Sequence, residues 1–230
     1  MPDNKTVYAH HGNEYEALIA HEDYQGNILR ALRDLVSLQN LTVLDLGAGT
    51  GRLACMLSPL VAYVHAFDIA PDMLHVCREK LTKSGLMNWQ VHIADHRQLP
   101  VDDRSADLIV SGWSVSYLAV WNPDTWRKEL DQAFTEMKRV LKPGSPIVLF
   151  ESLGTGNESP MQLDHLRNFY LWLDETGFQK RWIRTDYQFE TLEEAEYLSR
   201  FFFGDELGDK VRKNNWVILP ECTGVWWKKV

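Results

Sequence analysis

The chain has 230 residues, 24 Lys+Arg against 32 Asp+Glu, and an apolar fraction of 45%. That length closes one sizeable core and suits a single domain, and the apolar fraction excludes a disordered chain. A formal charge of −8 argues against binding nucleic acid or an anionic membrane through general electrostatics, though not against a local basic patch. In chain order, residues 1–40 read as helical. The opening MPDNKTVYAH has no basic segment leading into an apolar run, so no signal peptide is expected. Asn13, with Glu16 three positions on, gives a cap ahead of Tyr15, Leu18 and Ile19. Ile28, Leu29, Leu32, Leu35 and Val36 then recur at helical spacing. From Leu41 the pattern changes. Leu41–Leu46 is a short apolar run punctuated by glycines, and helical Arg52–Leu57 stops near Pro59. Tyr63–Phe67 reads as a strand ending at Asp68, Pro71–Leu81 as a helix with Met73, Leu74 and Cys77 on its apolar side, and Trp89–Ile93 and Ala106–Val110 as strands. Thr125–Leu141 is a helix with Leu130, Phe134, Met137 and Leu141 on one face, and Ile147–Glu151 is a fifth strand. This alternation predicts a parallel sheet covered on both faces.

Beyond Glu151 the rhythm is irregular. Gly154–Pro160 reads as loop, Met161–Glu175 as helix and Arg181–Phe189 as an alternating strand. Thr191 with Glu194 is a capping box opening a helix that carries Leu192, Ala195, Leu198 and Phe202 on one side. A polar helix, Asp205–Lys213, follows, and two apolar runs, Trp216–Leu219 and Gly224–Trp227, flank Pro220; the last reads as an edge strand. No stretch approaches the roughly 18 apolar residues needed to span a bilayer. Cys55, Cys77 and Cys222 are scattered and lack CxxC spacing, which suits a reduced, cytoplasmic protein without a zinc site or disulfide framework.

The most informative segment is Val43-Leu-Asp-Leu-Gly-Ala-Gly-Thr-Gly-Arg-Leu53. An apolar strand runs into Gly47, Gly49 and Gly51 and then into a helix. The loop so made lies at the carboxyl end of the first strand, where open α/β sheets bind ligands. Arg52 breaks the GxGxxG dinucleotide fingerprint, and GxxxxGK[ST] is absent. Acidic residues then recur at later strand ends. Asp68 can accept both hydroxyls of a ribose, and Asp95, in Ala94-Asp-His-Arg-Gln-Leu-Pro100, can accept from an adenine amino group. A tight turn and a capping acid are the bland readings of these features; their ordered recurrence outweighs them.

With those residues in place, the chain resembles the class I S-adenosylmethionine-dependent methyltransferases of the small-molecule type, related to quinone-biosynthesis enzymes. The matching motifs are VLDLGAGTGRLA (43–54), VHAFDIAPDML (64–74), ADHRQLP (94–100), ADLIVSGWSVSYL (106–118) and MKRVLKPGSPIVLFES (137–152). The resemblance implies an α/β, Rossmann-like three-layer sandwich. Its seven-stranded, mostly parallel sheet has order 3-2-1-4-5-7-6 with strand 7 antiparallel, N-terminal helices, and helical insertions after strands 5 and 6. It implies S-adenosylmethionine as cofactor and divides the chain into a cap (1–40), a cofactor-binding core (41–152) and lid insertions with the last strands (153–230). By position, Asp45, Gly47, Gly49 and Gly51 would line the methionine part and Asp68 the ribose. Ile69 and Met73 would lie against the adenine, Asp95 and His96 at its edge and face, and Ser111 beneath the sulfonium. The long segments 153–180 and 190–216 depart from the family pattern and would form a lid.

Methyl transfer from a sulfonium needs alignment and exclusion of water more than a dedicated base, and no catalytic residue is assigned. Ser111-Gly-Trp113 is not the Asn/Asp-Pro-Pro-aromatic motif, and no Pro-Cys pair, magnesium-type acidic cluster or aminopropyl-transferase acidic signature is present. Acceptor-side candidates are His10 and His11, Tyr15 and Tyr24, Trp113 and Tyr117, and Glu151, each with packing, surface or capping as its alternative. Phe201–Phe203 reads as packing more than pocket, and Trp226 and Trp227 as structural, with one in the core. The expected activity is methylation of a small, aromatic or apolar molecule by in-line displacement, with no nucleic-acid or membrane partner, no metal, and room for a homodimer. A non-catalytic cofactor-binding regulator and a protein methyltransferase are the competing readings.

Overall fold

The computed structural model describes residues 12–230, except the side chain of Asn13. His10 and His11, and the Asn13 cap, lie outside the described residues. The elements in order are α1 (Gly12–Ile19), α2 (Asn27–Leu35), β1 (Thr42–Leu46), α3 (Arg52–Leu57), β2 (Tyr63–Asp68), α4 (Pro71–Lys83), β3 (Trp89–Ile93), β4 (Leu108–Gly112), α5 (Tyr117–Val120), α6 (Trp126–Val140) and β5 (Pro146–Thr155). After a 3₁₀ turn (Asp164–Leu166) come α7 (Arg167–Thr176), β6 (Gln179–Arg184), β7 (Tyr187–Gln188), α8 (Leu192–Phe203), α9 (Asp205–Asn214), β8 (Ile218–Leu219) and β9 (Glu221–Lys229).

Seven strands make one sheet in the order β3-β2-β1-β4-β5-β9-β6, and β9 runs antiparallel to both neighbours. The expected 3-2-1-4-5-7-6 sheet is therefore present, with β9 as its seventh strand. The apolar runs put alternate residues on opposite faces. Leu44 and Leu46, Ile109, Ile147 and Leu149 face a core with Leu130, Ala133, Met137, Phe169 and Trp172 of α6 and α7. Val43, Leu108, Val110, Val148 and Phe150 face the other core with Ile28, Leu32, Leu53, Leu57 and Leu81 of α2, α3 and α4. Each such buried side chain contributes roughly 1.5–3 kcal/mol. A third, smaller cluster joins Leu18, Tyr187, Phe189, Ala195, Leu198, Val211 and Leu219 and fixes α1, α8, α9 and the β7–β8 pair together.

Tertiary contacts shift several expected boundaries. The fourth strand runs Leu108–Gly112, not 106–110, because Asp107 is held across its start by the Thr42 N–H (2.9 Å) and Lys142 (2.6 Å). Residues 161–163 precede any helix, and β5 continues past Glu151 to Thr155 with an irregularity between Ser152 and Thr155. The expected 181–189 strand breaks after Arg184, where the Asp186 carboxylate accepts from Arg184 and from the Glu221 N–H. The last strand is not an edge. It is paired on both sides, Trp226 is buried in one core and Trp227 packs on the other, and β6 with exposed Trp182 takes the edge. The Thr191 cap is present: its hydroxyl accepts the Glu194 N–H at 3.1 Å.

Gly51 shows what the glycine-loop spacing secures structurally. It opens α3 at φ +86°, and a Cβ there would sit 2.6 Å from Cys77 Sγ on α4. Gly51→Ala is expected to cost about 2–4 kcal/mol through strain and overpacking, read as a lowered urea midpoint with an unchanged slope; a change below about 0.5 kcal/mol would contradict this account.

Candidate active site

The site grows from the carboxyl ends of β1 and β2. The N–H groups of Gly47 and Ala48 both donate to Phe67 O at 2.8 Å, which folds the glycine loop back over β2. Gly47 and Gly49 have φ of +70° and +54°, which side chains other than glycine's rarely accept. Asp68, ending β2, receives the Gly49 N–H on Oδ2 (2.8 Å) and the Ala70 N–H on Oδ1 (2.9 Å). One carboxylate thereby orients both the glycine loop and the entry to α4, and each oxygen retains lone-pair capacity.

These ends open into a cleft of about 620 Å³. Its β1–β2 side carries Asp45, Gly47, Gly49, Asp68, Ile69 and Met73, its β3 side Asp95, His96 and Arg97, and its β4 side Trp113, Ser114, Tyr117, Leu118 and Trp121. Tyr15 and Ile19 of α1 close the remaining side. Of the residues expected to hold the cofactor, Gly51 and Ser111 do not line the cleft, and of the acceptor-side candidates Tyr24 and Glu151 do not. Gly51 packs on α4, and Ser111 Oγ is buried and donates to Leu46 O at 2.6 Å, tying β4 to β1. The expected lid also lies elsewhere: all lining residues fall between Tyr15 and Asn122. Residues 167–176 pack in the α6 layer, while Phe202 reaches the cleft indirectly, edge-on to Tyr15 at 6.0 Å.

Asp45 is 1% exposed, and neither carboxylate oxygen has a hydrogen-bond partner. Burial pushes it up to about 7, opposed by the nearby Ala54 N–H and aided by a smaller push from Asp68. Asp95 is gripped by Arg97 through Nε (2.7 Å) and Nη2 (2.6 Å), and Arg97 also reaches Glu129. Partial burial raises the Asp95 carboxyl, but the Arg97 hydrogen bonds outweigh it and leave it below the ordinary range. His96 Nε2 lies 3.0 Å from Ser114 Oγ, and burial lowers this imidazole against the opposing pull of Asp68 and Asp95.

Sequence reasoning passed over Arg52, Glu22, Ser114 and Trp121. Arg52, the residue that broke the dinucleotide pattern, lines the cleft with its guanidinium 4.0 Å over the Trp113 ring and 2.6 Å from Glu22. Its place directly after the third glycine was a usable signal. Glu22 carried none: it is set by the pairing of residues 21–24 with residues 185–188 across the fold. Glu151, midway along β5, and Glu221, the first residue of β9, are also buried but do not line the cleft. Trp113 and Tyr117 stand on the cleft wall, with Tyr117 stacked on Trp121 at 4.7 Å. Phe201–Phe203 packs α8 onto its neighbours. Among the described residues no group of three or more His, Cys, Asp or Glu is placed to hold a metal, and no helix is long and apolar enough to cross a membrane.

Residues 43–144 match the family model described as a methyltransferase domain. The chain is 28% identical over 180 residues to a malonyl-[acyl-carrier protein] O-methyltransferase of Marinomonas sp. (strain MWYL1), covering 77% of this chain and 60% of that one. It is 38% identical over 109 residues to a demethylmenaquinone methyltransferase of Clavibacter sepedonicus, covering 47% and 40%. It thus spans less than two thirds of these curated relatives. A SAM dependent methyltransferase from Aquifex aeolicus shares the fold at a TM-score of 0.59 and 19% identity, over 99% of this chain and 94% of that one. Sheet order, a cleft at the β1/β4 switch point and the sequence likeness of residues 43–144 converge on a class I S-adenosylmethionine-dependent methyltransferase domain.

Proposed function

We propose that the cleft binds S-adenosylmethionine and that the protein transfers its methyl group to a small aromatic or apolar acceptor by in-line displacement. The observation that carries this reading is Asp45, a buried carboxylate without a hydrogen-bond partner on the cleft wall, where Asp68 and Asp95 are already engaged. An isolated buried carboxylate is costly unless a cation or donor meets it, and the cofactor brings both an ammonium and a sulfonium. The space fits too: a Cβ on Gly49 would approach only Met73 and Tyr15, at 3.6 and 4.0 Å, so the loop leaves its ligand side open. When bound, the cofactor supplies an electrophilic methyl carbon whose bond to sulfur breaks with the electron pair left on sulfur.

The residues of the chain would orient and shield. Asp68 holds the ribose hydroxyls, Ile69 and Met73 flank the adenine, and Asp95, steadied by Arg97, faces its edge. Gly47 and Gly49 let the backbone approach the methionine portion, with Asp45 opposite its ammonium. Trp113, Tyr117, Leu118 and Trp121 offer the acceptor a largely apolar wall. The names of the relatives span acyl-carrier, quinone and sterol substrates, so the acceptor class is argued from this wall.

Calorimetry tests the reading. S-adenosylmethionine is expected to bind more tightly as the pH rises from about 6 to about 8, because the cation favours ionised Asp45, whose carboxyl titrates at about 7 without ligand. Asp45→Asn should weaken binding roughly 10–100-fold and flatten that pH dependence. Release of S-adenosylhomocysteine in the presence of small phenols, amines and carboxylates then reads turnover. Failure of the wild-type protein to bind either form of the cofactor would end the proposal.

A further inference from the structure

The cleft's titratable groups are unequal in what they have left to give. Asp68 is held by two backbone N–H groups, Asp95 by Arg97, and Arg52 by Glu22. Asp45 is assigned to the cofactor's cation. His96 is different. Burial lowers its imidazole from the ordinary value, its Nε2 is 3.0 Å from Ser114 Oγ, and its Nδ1 is buried without a partner. The pair also occupies a telling place. A Cβ on Gly47 would sit 1.7 Å from Ser114 Oγ and 3.2 Å from His96 Cε1. The two side chains therefore lie directly against the end of β1, beside β4. The ribose-holding Asp68 is on β2, on the opposite side of β1 from β4. A ligand whose nucleoside end lies over β2 and β3 brings its reacting end to this point. The Tyr117–Trp121 stack belongs to the helix that follows Ser114 on the same wall.

From this placement we propose that Ser114 and His96 are the proton-accepting pair of the reaction, and that the acceptor they serve is an aromatic hydroxyl. The proposal rests on the methyltransferase reading. The acceptor's O–H proton passes to Ser114 Oγ as the Ser114 proton passes to His96 Nε2. The freed oxygen pair bonds to the methyl carbon, and the carbon–sulfur bond breaks with its electrons kept by sulfur. The positive charge lost at sulfur reappears on the imidazolium, which Asp68 and Asp95 favour and Arg97 opposes, as these groups do in the ligand-free cleft. The imidazolium then returns its proton to water. A carboxylate acceptor, already ionised at neutral pH, would have no use for this pair.

The test uses the full chain saturated with S-adenosylhomocysteine, ¹⁵N-labelled at histidine, and p-cresol as probe. Addition of p-cresol should shift the His96 Nε2 resonance in the wild type, and the shift should vanish in Ser114→Ala. In turnover, p-cresol should be methylated in preference to benzylamine and phenylacetate. His96→Gln and Ser114→Ala should lower kcat, by about 10²–10⁴-fold for His96→Gln. KM and the affinity for S-adenosylhomocysteine should stay within about threefold, and His96→Gln should lose the acid limb of the pH profile. Loss of S-adenosylhomocysteine affinity at unchanged kcat would instead make His96 part of the adenine wall and overturn the proposal. So would a preference for phenylacetate or benzylamine, or no response to p-cresol by resonance or turnover in a protein that binds the cofactor product. A wild-type protein that binds no cofactor would refute the underlying reading itself, so the two failures are distinguishable.

Discussion

Replacing Asp68 by alanine is expected to remove cofactor binding measurable by calorimetry, a loss on the order of 100-fold or more. Two separate effects add. The ribose loses an ionised acceptor for its hydroxyls, and hydrogen bonds to charged groups are worth roughly 1.5–3 kcal/mol each. The same change also leaves the Gly49 and Ala70 N–H groups without the carboxylate that organises them, at 2.8 and 2.9 Å. The loop must then order itself on binding, which raises the cost of association. Asp68→Asn separates the two effects. Its amide can keep one of the backbone bonds but turns a donor toward the other N–H, so it should lose affinity and about 1–2 kcal/mol of stability. An Asp68→Ala protein that is folded by circular dichroism and binds S-adenosylhomocysteine within about threefold of wild type would refute the assignment.

Stability is expected to fall as the pH rises from about 6.5 to about 9, above the range where the lowered histidines oppose the trend, because of carboxyl groups buried away from the cleft. Glu221 is pushed up to about 8 by burial and then by the charge of Glu22, and Glu151 to about 7, again chiefly by burial. Both are almost wholly buried, at 1% and 5% exposure. Glu22 is raised too, by burial, with Glu221, Arg52 and the hydroxyl of Tyr187 close enough to interact. Ser152 links the cluster, its N–H donating to Glu151 at 2.9 Å and its hydroxyl to Glu221 at 2.7 Å. A carboxyl whose folded value lies above its unfolded one binds its proton more tightly in the native state. Its contribution to stability is therefore present at low pH and is lost as the pH climbs from the unfolded value toward the folded one and beyond. The window for Glu151 runs from about 4.5 to about 7 and for Glu221 from about 4.5 to about 8. Together they should withdraw several kcal/mol, since each tenfold difference in proton affinity between the folded and unfolded chain corresponds to about 1.4 kcal/mol. Thermal melts should show Tm declining from about pH 6.5 to about 9, and Glu151→Gln with Glu221→Gln should flatten the decline. A Tm that is level or rising over the same range would disprove it.

These two expectations differ in how they could be reached. Asp68 was legible in the sequence, because it ends an apolar strand 17 residues after the last glycine of the loop, and strand ends are where such sheets bind ligands. Glu151 was visible as the end of a fifth strand and as an acceptor-side candidate, not as a buried group. Its burial, like that of Glu221, depends on β9 inserting between β5 and β6 and on residues 21–24 pairing with residues 185–188. The same pairing sets Glu22 beside Arg52, which read as no more than the residue that spoiled a dinucleotide motif. The aromatic supply gives a further contrast. Five of nine Trp lie beyond β5 (Trp172, Trp182, Trp216, Trp226 and Trp227), in the half that holds the segments expected to form a lid. Trp172 and Trp226 are instead buried in the sheet–helix core, and the cleft takes Trp113 and Trp121.

What the sequence determined by itself is the alternating core from β1 to β5, the glycine loop, the acid that ends β2 and, through them, the methyltransferase likeness. Those features repeat with the period of the strands and helices that carry them, so neighbours along the chain are enough to read them. The tertiary structure alone decided that Ser111 and Gly51 face inward, that His96 meets Ser114, and that a proton-holding carboxyl cluster lies where the middle of β5 meets the start of β9. Each is a contact between residues far apart in the chain, and the solvation and charge of such groups depend on what the fold packs against them.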